Sequence, residues 1–277
     1  MKLFHEVSNL CSKTTTEKYS TSFSGAVKLL HNDLRTAVYN IYGFVRFTDE
    51  IVDTFHEYDK ATLLAEFKKE TYTAVERGIS LNPILNSFQH TVNKYEINLD
   101  LVDAFFHSME MDLTQSAYTS EKYKEYIYGS AEVVGLMCLY IFCEGNKEMY
   151  KNLKPYAQSL GAAFQKVNFL RDAKSDYQQL SRTYFPEIDF TNFTFYSKKK
   201  IEEDITADFA NAYKGIAQLP AKARFGVYVA YKYYLSLFNK IKKAQPKSIL
   251  RQRFRIPNYG KAFILAKASL RSQLNIL

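Results

Sequence analysis

Four segments repeat apolar residues at three and four spacing: "LRTAVYNIYGFVRFTDEIVDTF", "YKEYIYGSAEVVGLMCLYIF", "YAQSLGAAFQKVNFLRDAKSDY" and "RFGVYVAYKYYLSLFNKIKKA". That period marks one face of an α-helix, whereas a half-buried strand alternates every second residue. Only 10 Gly and 6 Pro interrupt 277 residues, and 22 Tyr and 21 Phe, with no Trp, supply rings to line the helices. The expectation is an all-α protein. No low-complexity linker or tandem repeat suggests a boundary, so residues 1–277 are read as a single domain, long enough to bury a substantial core.

Local signals refine this reading. Asn32 or Asp33 can cap the first of the four helices, Pro83 suits the first turn of a short helix after "SLN", and "LKPYAQ" is expected to open the helix carrying Asp172. From Tyr177 to Thr194 the period is lost around Pro186, which reads as a long loop of the kind that often carries function. Cys11, Cys138 and Cys143 cannot all pair and match no zinc spacing, which fits a reducing, cytoplasmic setting. The N-terminus lacks an apolar signal segment, and the most apolar run, Val133 to Cys143, is too short to span a bilayer.

Charge is uneven: the chain carries +8, and from Phe209 to Leu277 there is no Asp or Glu. Such a basic stretch meets something anionic or forms a solvated face. It is interleaved with apolar helix and lacks any nucleic-acid motif, so no nucleic-acid partner is expected. Lipid headgroups and a phosphorylated substrate both remain candidates, the first implying peripheral contact at the inner face of a membrane.

The acids carry the chemistry. Asp49 and Asp53 stand at i and i+4 with Arg46 one turn earlier; far away, Gln165, Asn168, Asp172 and Asp176 follow the same spacing beside Arg171. Like charges at this spacing weaken even an exposed helix, by about 0.2–0.5 kcal/mol per pair, and burial makes them far more costly. Each pair therefore asks for a cation. Magnesium suits an oxygen donor set completed by water and substrate phosphates, while Arg46 and Arg171 can grip phosphate oxygens. One such pair alone would more often be a solvated helix face; two, each in an apolar helix beside an arginine, favour a diphosphate clamp. Asp53 and His56 resemble half of a ferritin-type carboxylate and histidine set, but the second half is missing, and neither a calcium loop nor a zinc cluster is present. The scattered His5, His31, His90 and His107 are read as structural.

"YGFVRFTDEIVD", "YGSAEVVG", "QKVNFLRDAKSDY" and "SRTYFP" occur in an order and spacing that resemble the squalene and phytoene synthase family over most of the chain. The resemblance implies a helical bundle of the class I isoprenoid synthase type around a large central apolar cavity. It assigns metal binding to Asp49, Asp53, Asn168, Asp172 and Asp176, with Gln165 in the second site, and diphosphate contacts to Arg46, Arg171 and Arg182. Tyr128 and Tyr184 match active-site tyrosines, and Ser20, Phe23 and Ser24 match an element near a diphosphate. Arg253 is a further phosphate ligand and Tyr234 a cavity residue on a looser alignment. The sequence departs from the family pattern at Glu50, Ser181 and Glu132, the last a carboxylate where glycine is usual.

The activity implied is magnesium-dependent head-to-head joining of two geranylgeranyl diphosphates to phytoene through a cyclopropylcarbinyl diphosphate; manganese can substitute for magnesium, and NADPH is not expected. Squalene and dehydrosqualene synthases share these motifs and use farnesyl diphosphate. A helical assembly protein that has lost catalysis is the reading from another class, against which the intact acid pairs speak.

Overall fold

The computed structural model describes residues 1–114, 118–179, 184–186 and 188–274, and of 175–179 the backbone alone. Asp176, Ser181 and Arg182 therefore fall outside what can be placed here as side chains. Among the described residues there is no strand, as the periodicity predicts.

The chain runs through α1 (Lys2–Tyr19), α2 (Thr21–Val27), α3 (Asn32–Asp53), α4 (Lys60–Arg77), α5 (Pro83–Tyr95), α6 (Leu99–Thr114) and α7 (Ser120–Ile127). A π-turn at Tyr128–Glu132 joins α7 to α8 (Val133–Cys143), and α9 (Lys147–Gln179), α10 (Phe195–Ile216), α11 (Ala221–Lys242), α12 (Pro246–Ile249) and α13 (Asn258–Gln273) complete it. All four periodic segments are helical.

Two helix starts differ from expectation. α3 begins one residue earlier than a capping Asn32 or Asp33 would allow: His31 is its N-cap, with no side-chain bond to the helix. The His31 amide instead donates to the Lys222 carbonyl at 2.9 Å, so a tertiary tie to the start of α11 sets the boundary. α9 starts at Lys147 and holds Pro155 inside it. Pro155 faces solvent, where water can satisfy the carbonyl its missing N–H leaves free. Pro83 stands in the first turn of α5 as expected, and Asn82 caps that helix by accepting from the Ile84 and Leu85 amides.

α3 lies at the centre, packed on α1, α5 and α8, while α9 packs on α8, the π-turn, α10 and α11. Around α3, Phe44 is fully buried and stacks on Phe88 at 3.8 Å, with Phe67, Phe105 and Phe106 against it. A second apolar cluster spans α9 to α13 and takes in Tyr126 and Tyr184. The two clusters meet along the cavity. Ser120–Cys143 is one continuous helical stretch through the π-turn, and by length and composition it could cross a bilayer. Two thirds of its apolar window is buried inside the protein, which marks it as a core helix. Gly161 on α9 lets that helix meet the π-turn at backbone contact, because a Cβ there would collide with the Ala131 carbonyl.

Candidate active site

Helical phase brings Tyr42, Arg46, Asp49 and Asp53 of α3 to one wall of a cavity of about 500 Å³. α9 supplies the facing wall, from Leu153 through Ala157, Gly161 and Phe164 to Gln165, Asn168 and Asp172. The cavity is polar where the acids gather and apolar toward Leu153 and Phe142. At 1.5 Å per residue, the lining of α9 from Asp172 to Leu153 runs about 28 Å.

Asp49 shows 30% of its side chain, and that surface opens into the cavity. Burial, Asp53 and Asp112 push its carboxyl up to about 8 against the pull of Arg46. Arg46 is shared: it pairs with Glu50, lies 4.0 Å from Asp49, and stacks 4.4 Å over the Tyr19 ring. Its Nε is buried without a hydrogen-bond partner. Glu50, the first departure from the family pattern, also accepts from Thr54 Oγ1 at 2.8 Å and so steadies the arginine from below.

Asp172 is held by two guanidiniums. Arg171 reaches it through Nη2 at 2.6 Å and Nε at 3.1 Å, and Arg253 through Nε at 2.8 Å. Burial opposes the charge on Arg171, but its bonds to Asp172 and Tyr234 outweigh that and raise its pKa. Asn168 donates weakly to Gln165 at 3.5 Å, and its Oδ1 is buried with no partner. An orphaned buried acceptor is costly, and here it lines the cavity beside Asp172. The exposed donor atoms at this end are all oxygens, which suits a hard divalent cation rather than zinc. No three His, Cys, Asp or Glu side chains converge among the described residues.

Of the other expected residues, Ser20, Phe23, Tyr184, Tyr234 and Arg253 line the cavity. Ser20 caps α2, and its hydroxyl pairs with that of Tyr42, whose phenol burial pushes up to about 12. Ser24 and Tyr128 are not brought to it. Ser24 is buried and donates back to the Thr21 carbonyl, while Tyr128 lies toward Asp100, Glu132 and Tyr150. Tyr126 and Ser130, two residues before and after Tyr128, line the cavity instead. His56 is exposed and pairs with Lys60, away from any cluster.

The sequence reading missed Asp112 of α6. This buried acid lines the cavity and accepts from Tyr126 at 2.7 Å and Tyr118 at 3.2 Å. Those rings stack with Tyr184, which lies 3.9 Å over Phe169, so one carboxylate anchors an aromatic wall. Glu132 stays out of the cavity lining and accepts from Gln158 at 2.7 Å. Burial raises its pKa, the Gln158 bond opposes this, and Asp208 adds to it. Nearby, Lys166 is buried between Asp204 at 2.6 Å and Asp208 at 2.7 Å.

An all-α bundle with acid-bearing helices facing each other across an apolar cavity defines the isoprenoid synthase fold. A solved dehydrosqualene synthase shares it with a TM-score of 0.81, covering 97% of this chain and 98% of that one at 19% identity. The squalene/phytoene synthase profile matches residues 16–260, and the chain belongs to that family of prenyltransferases. It is 27% identical to the 15-cis-phytoene synthase of Synechococcus elongatus, over 93% of this chain and 91% of that one. It is 23% identical to the chloroplastic phytoene synthase 3 of Zea mays, over 97% of this chain, and spans 66% of that protein's length.

Proposed function

We propose that the protein is a phytoene synthase, joining two geranylgeranyl diphosphates head to head with release of diphosphate. One observation carries the reading: Asp49 and Asp53 of α3 face Asn168 and Asp172 of α9 at the polar end of an apolar tube, with Arg46, Arg171 and Arg253 around them. The α9 lining has room for a C20 tail, and the curated phytoene synthases the chain resembles favour C20 over C15. Dehydrosqualene formation from farnesyl diphosphate is the second reading, favoured by the structural likeness to a dehydrosqualene synthase.

Asp49, Asp53, Asn168 and Asp172 would hold magnesium, which when bound supplies positive charge to a leaving diphosphate. The arginines do related work. Arg171 and Arg253, now on Asp172, can turn to phosphate oxygens and stabilise the charge that develops as the allylic carbon–oxygen bond breaks. The apolar walls then keep water from the substrate cation. Tyr126, Tyr184 and Phe169 offer ring faces worth about 0.5–2 kcal/mol each to a cation passing near them.

The test is incubation of the purified protein with magnesium and either geranylgeranyl or farnesyl diphosphate, with and without NADPH, followed by mass analysis of the extracted hydrocarbon. A C40 product independent of NADPH, lost in Asp49→Ala and Asp172→Ala while the circular dichroism spectrum is retained, is the expected result. A C30 product transfers the assignment to the second reading, and normal turnover by either variant removes the site.

A further inference from the structure

α13 is amphipathic the wrong way round for a helix that only packs inward. Tyr259, Phe263, Leu270 and Leu274 are between 58% and 82% exposed. At about 100° per residue they fall within an arc of roughly 60°. The opposite side, centred on Ala268, faces the body of the protein, where α13 packs on α11. Four large apolar side chains thus form one stripe that none of the described residues covers.

The charged residues of the segment that carries that stripe are all basic. Lys267, Arg251 and Arg255 are exposed, and no acid occurs from Phe209 to the C-terminus. On α11, the Lys232 ammonium is held below its ordinary range by burial and by the positive charges of Arg271 and Lys267. α13 also stands beside the polar end of the cavity. Lys261 donates to Thr21 Oγ1 at 2.8 Å, the residue next to cavity-lining Ser20, and cavity-lining Arg253 lies five residues before the helix begins.

We propose that the outer face of α13 docks on an anionic lipid bilayer, with the apolar stripe in the headgroup boundary and the surrounding lysines and arginines on lipid phosphates. Apolar stripe plus basic flank is what an interfacial helix needs. A second copy of the chain fits this face less well, because a symmetric interface would set the same lysines and arginines against each other. Docking would hold the cavity mouth at the surface from which a long-chain substrate arrives and into which a hydrocarbon leaves. That benefit rests on the proposed reaction; the docking does not.

The experiment is co-sedimentation of the full chain with phosphatidylglycerol/phosphatidylcholine vesicles and with pure phosphatidylcholine vesicles, at low and high salt. The expected result is binding to the anionic vesicles that weakens with salt. Phe263→Ser/Leu270→Ser lowers that binding by roughly tenfold or more, with an unchanged melting temperature since both positions are exposed. Lys267→Gln weakens binding less and flattens its salt dependence. Equal binding to both vesicle types, wild-type binding by the double variant, or a dimer that the double variant abolishes without any lipid binding would each overturn the proposal. Failure to form hydrocarbon leaves the vesicle result untouched and counts against the reaction alone.

Discussion

Arg253→Gln separates two roles that the structure gives one side chain. Arg253 Nε sits 2.8 Å from Asp172 Oδ1, with the arginine side chain 51% and the aspartate 21% exposed. An ion pair that open contributes about 0.2–1 kcal/mol to stability, so the melting temperature should fall by no more than about 4 °C. Catalysis should suffer more. A charge-assisted hydrogen bond to a departing diphosphate contributes about 1.5–3 kcal/mol, which predicts a loss of about 10- to 150-fold in kcat/KM. Substrate-free magnesium affinity should move the other way, because the arginine competes with the cation for Asp172. Removing a competitor worth at most about 1 kcal/mol strengthens magnesium binding by up to about fivefold. Steady-state kinetics at saturating magnesium and calorimetric magnesium titration without substrate measure the two effects. A kcat/KM within threefold of wild type (roughly 0.6 kcal/mol) refutes the diphosphate role, and a parallel fall in magnesium affinity refutes the competition.

Two further outcomes follow from the site and the core. Asp49 is held up at about 8 against an ordinary value of 3.8. For an acid raised in the fold, the stability linked to its neutral form is present below the ordinary carboxylate range and is lost as pH rises through 8. Without metal, Asp49→Asn should therefore gain in melting temperature over wild type as pH climbs from about 5 to about 9, and magnesium should close the gap; a flat difference across that range contradicts the assignment. Phe44→Ala, which empties a fully buried ring stacked on Phe88, should cost about 3–5 kcal/mol in urea unfolding, and a loss below about 1 kcal/mol would mean the core around α3 closes over the cavity it leaves.

What could be read from the sequence was whatever sits on a single regular helix. Arg46, Asp49 and Asp53 share a face because α3 is continuous, and Gln165, Asn168 and Asp172 do so on α9. The tyrosines show the opposite case. Tyr128 is singled out by the motif resemblance, yet Tyr126 and Ser130 stand at i and i+4 and share one helical face, with Tyr128 on the other. Tyr126 and Ser130 line the cavity and Tyr128 does not. Asp112 carries the same signal as Asp49, an acid in an apolar helix, but no second acid stands three or four residues from it, and such an acid is commonly solvated. Its two tyrosine partners lie 6 and 14 residues further on, beyond the reach of helical spacing.

Glu132 shows how a carboxylate that the sequence would place inside an apolar cavity can lie outside it. A carboxylate inside "AEVVGLM" would disrupt the apolar tube if it pointed there. The tight contact of Gly161 with the Ala131 carbonyl presses the π-turn against α9, and Glu132 leaves that junction away from the cavity toward Gln158. It joins the polar side of α9, where Lys166 is already clamped by Asp204 and Asp208. α9 thus carries two polar systems on different faces: Gln165, Asn168 and Asp172 turned to the cavity, and Gln158 and Lys166 turned to the π-turn and α10. On the first face Asp172 has an orphaned amide oxygen and two guanidiniums beside it, an arrangement that a cation and a diphosphate would complete. On the second, Glu132 and the two aspartates already have an amide and an ammonium, so that network ties α9 to its neighbours and leaves the chemistry to the other side.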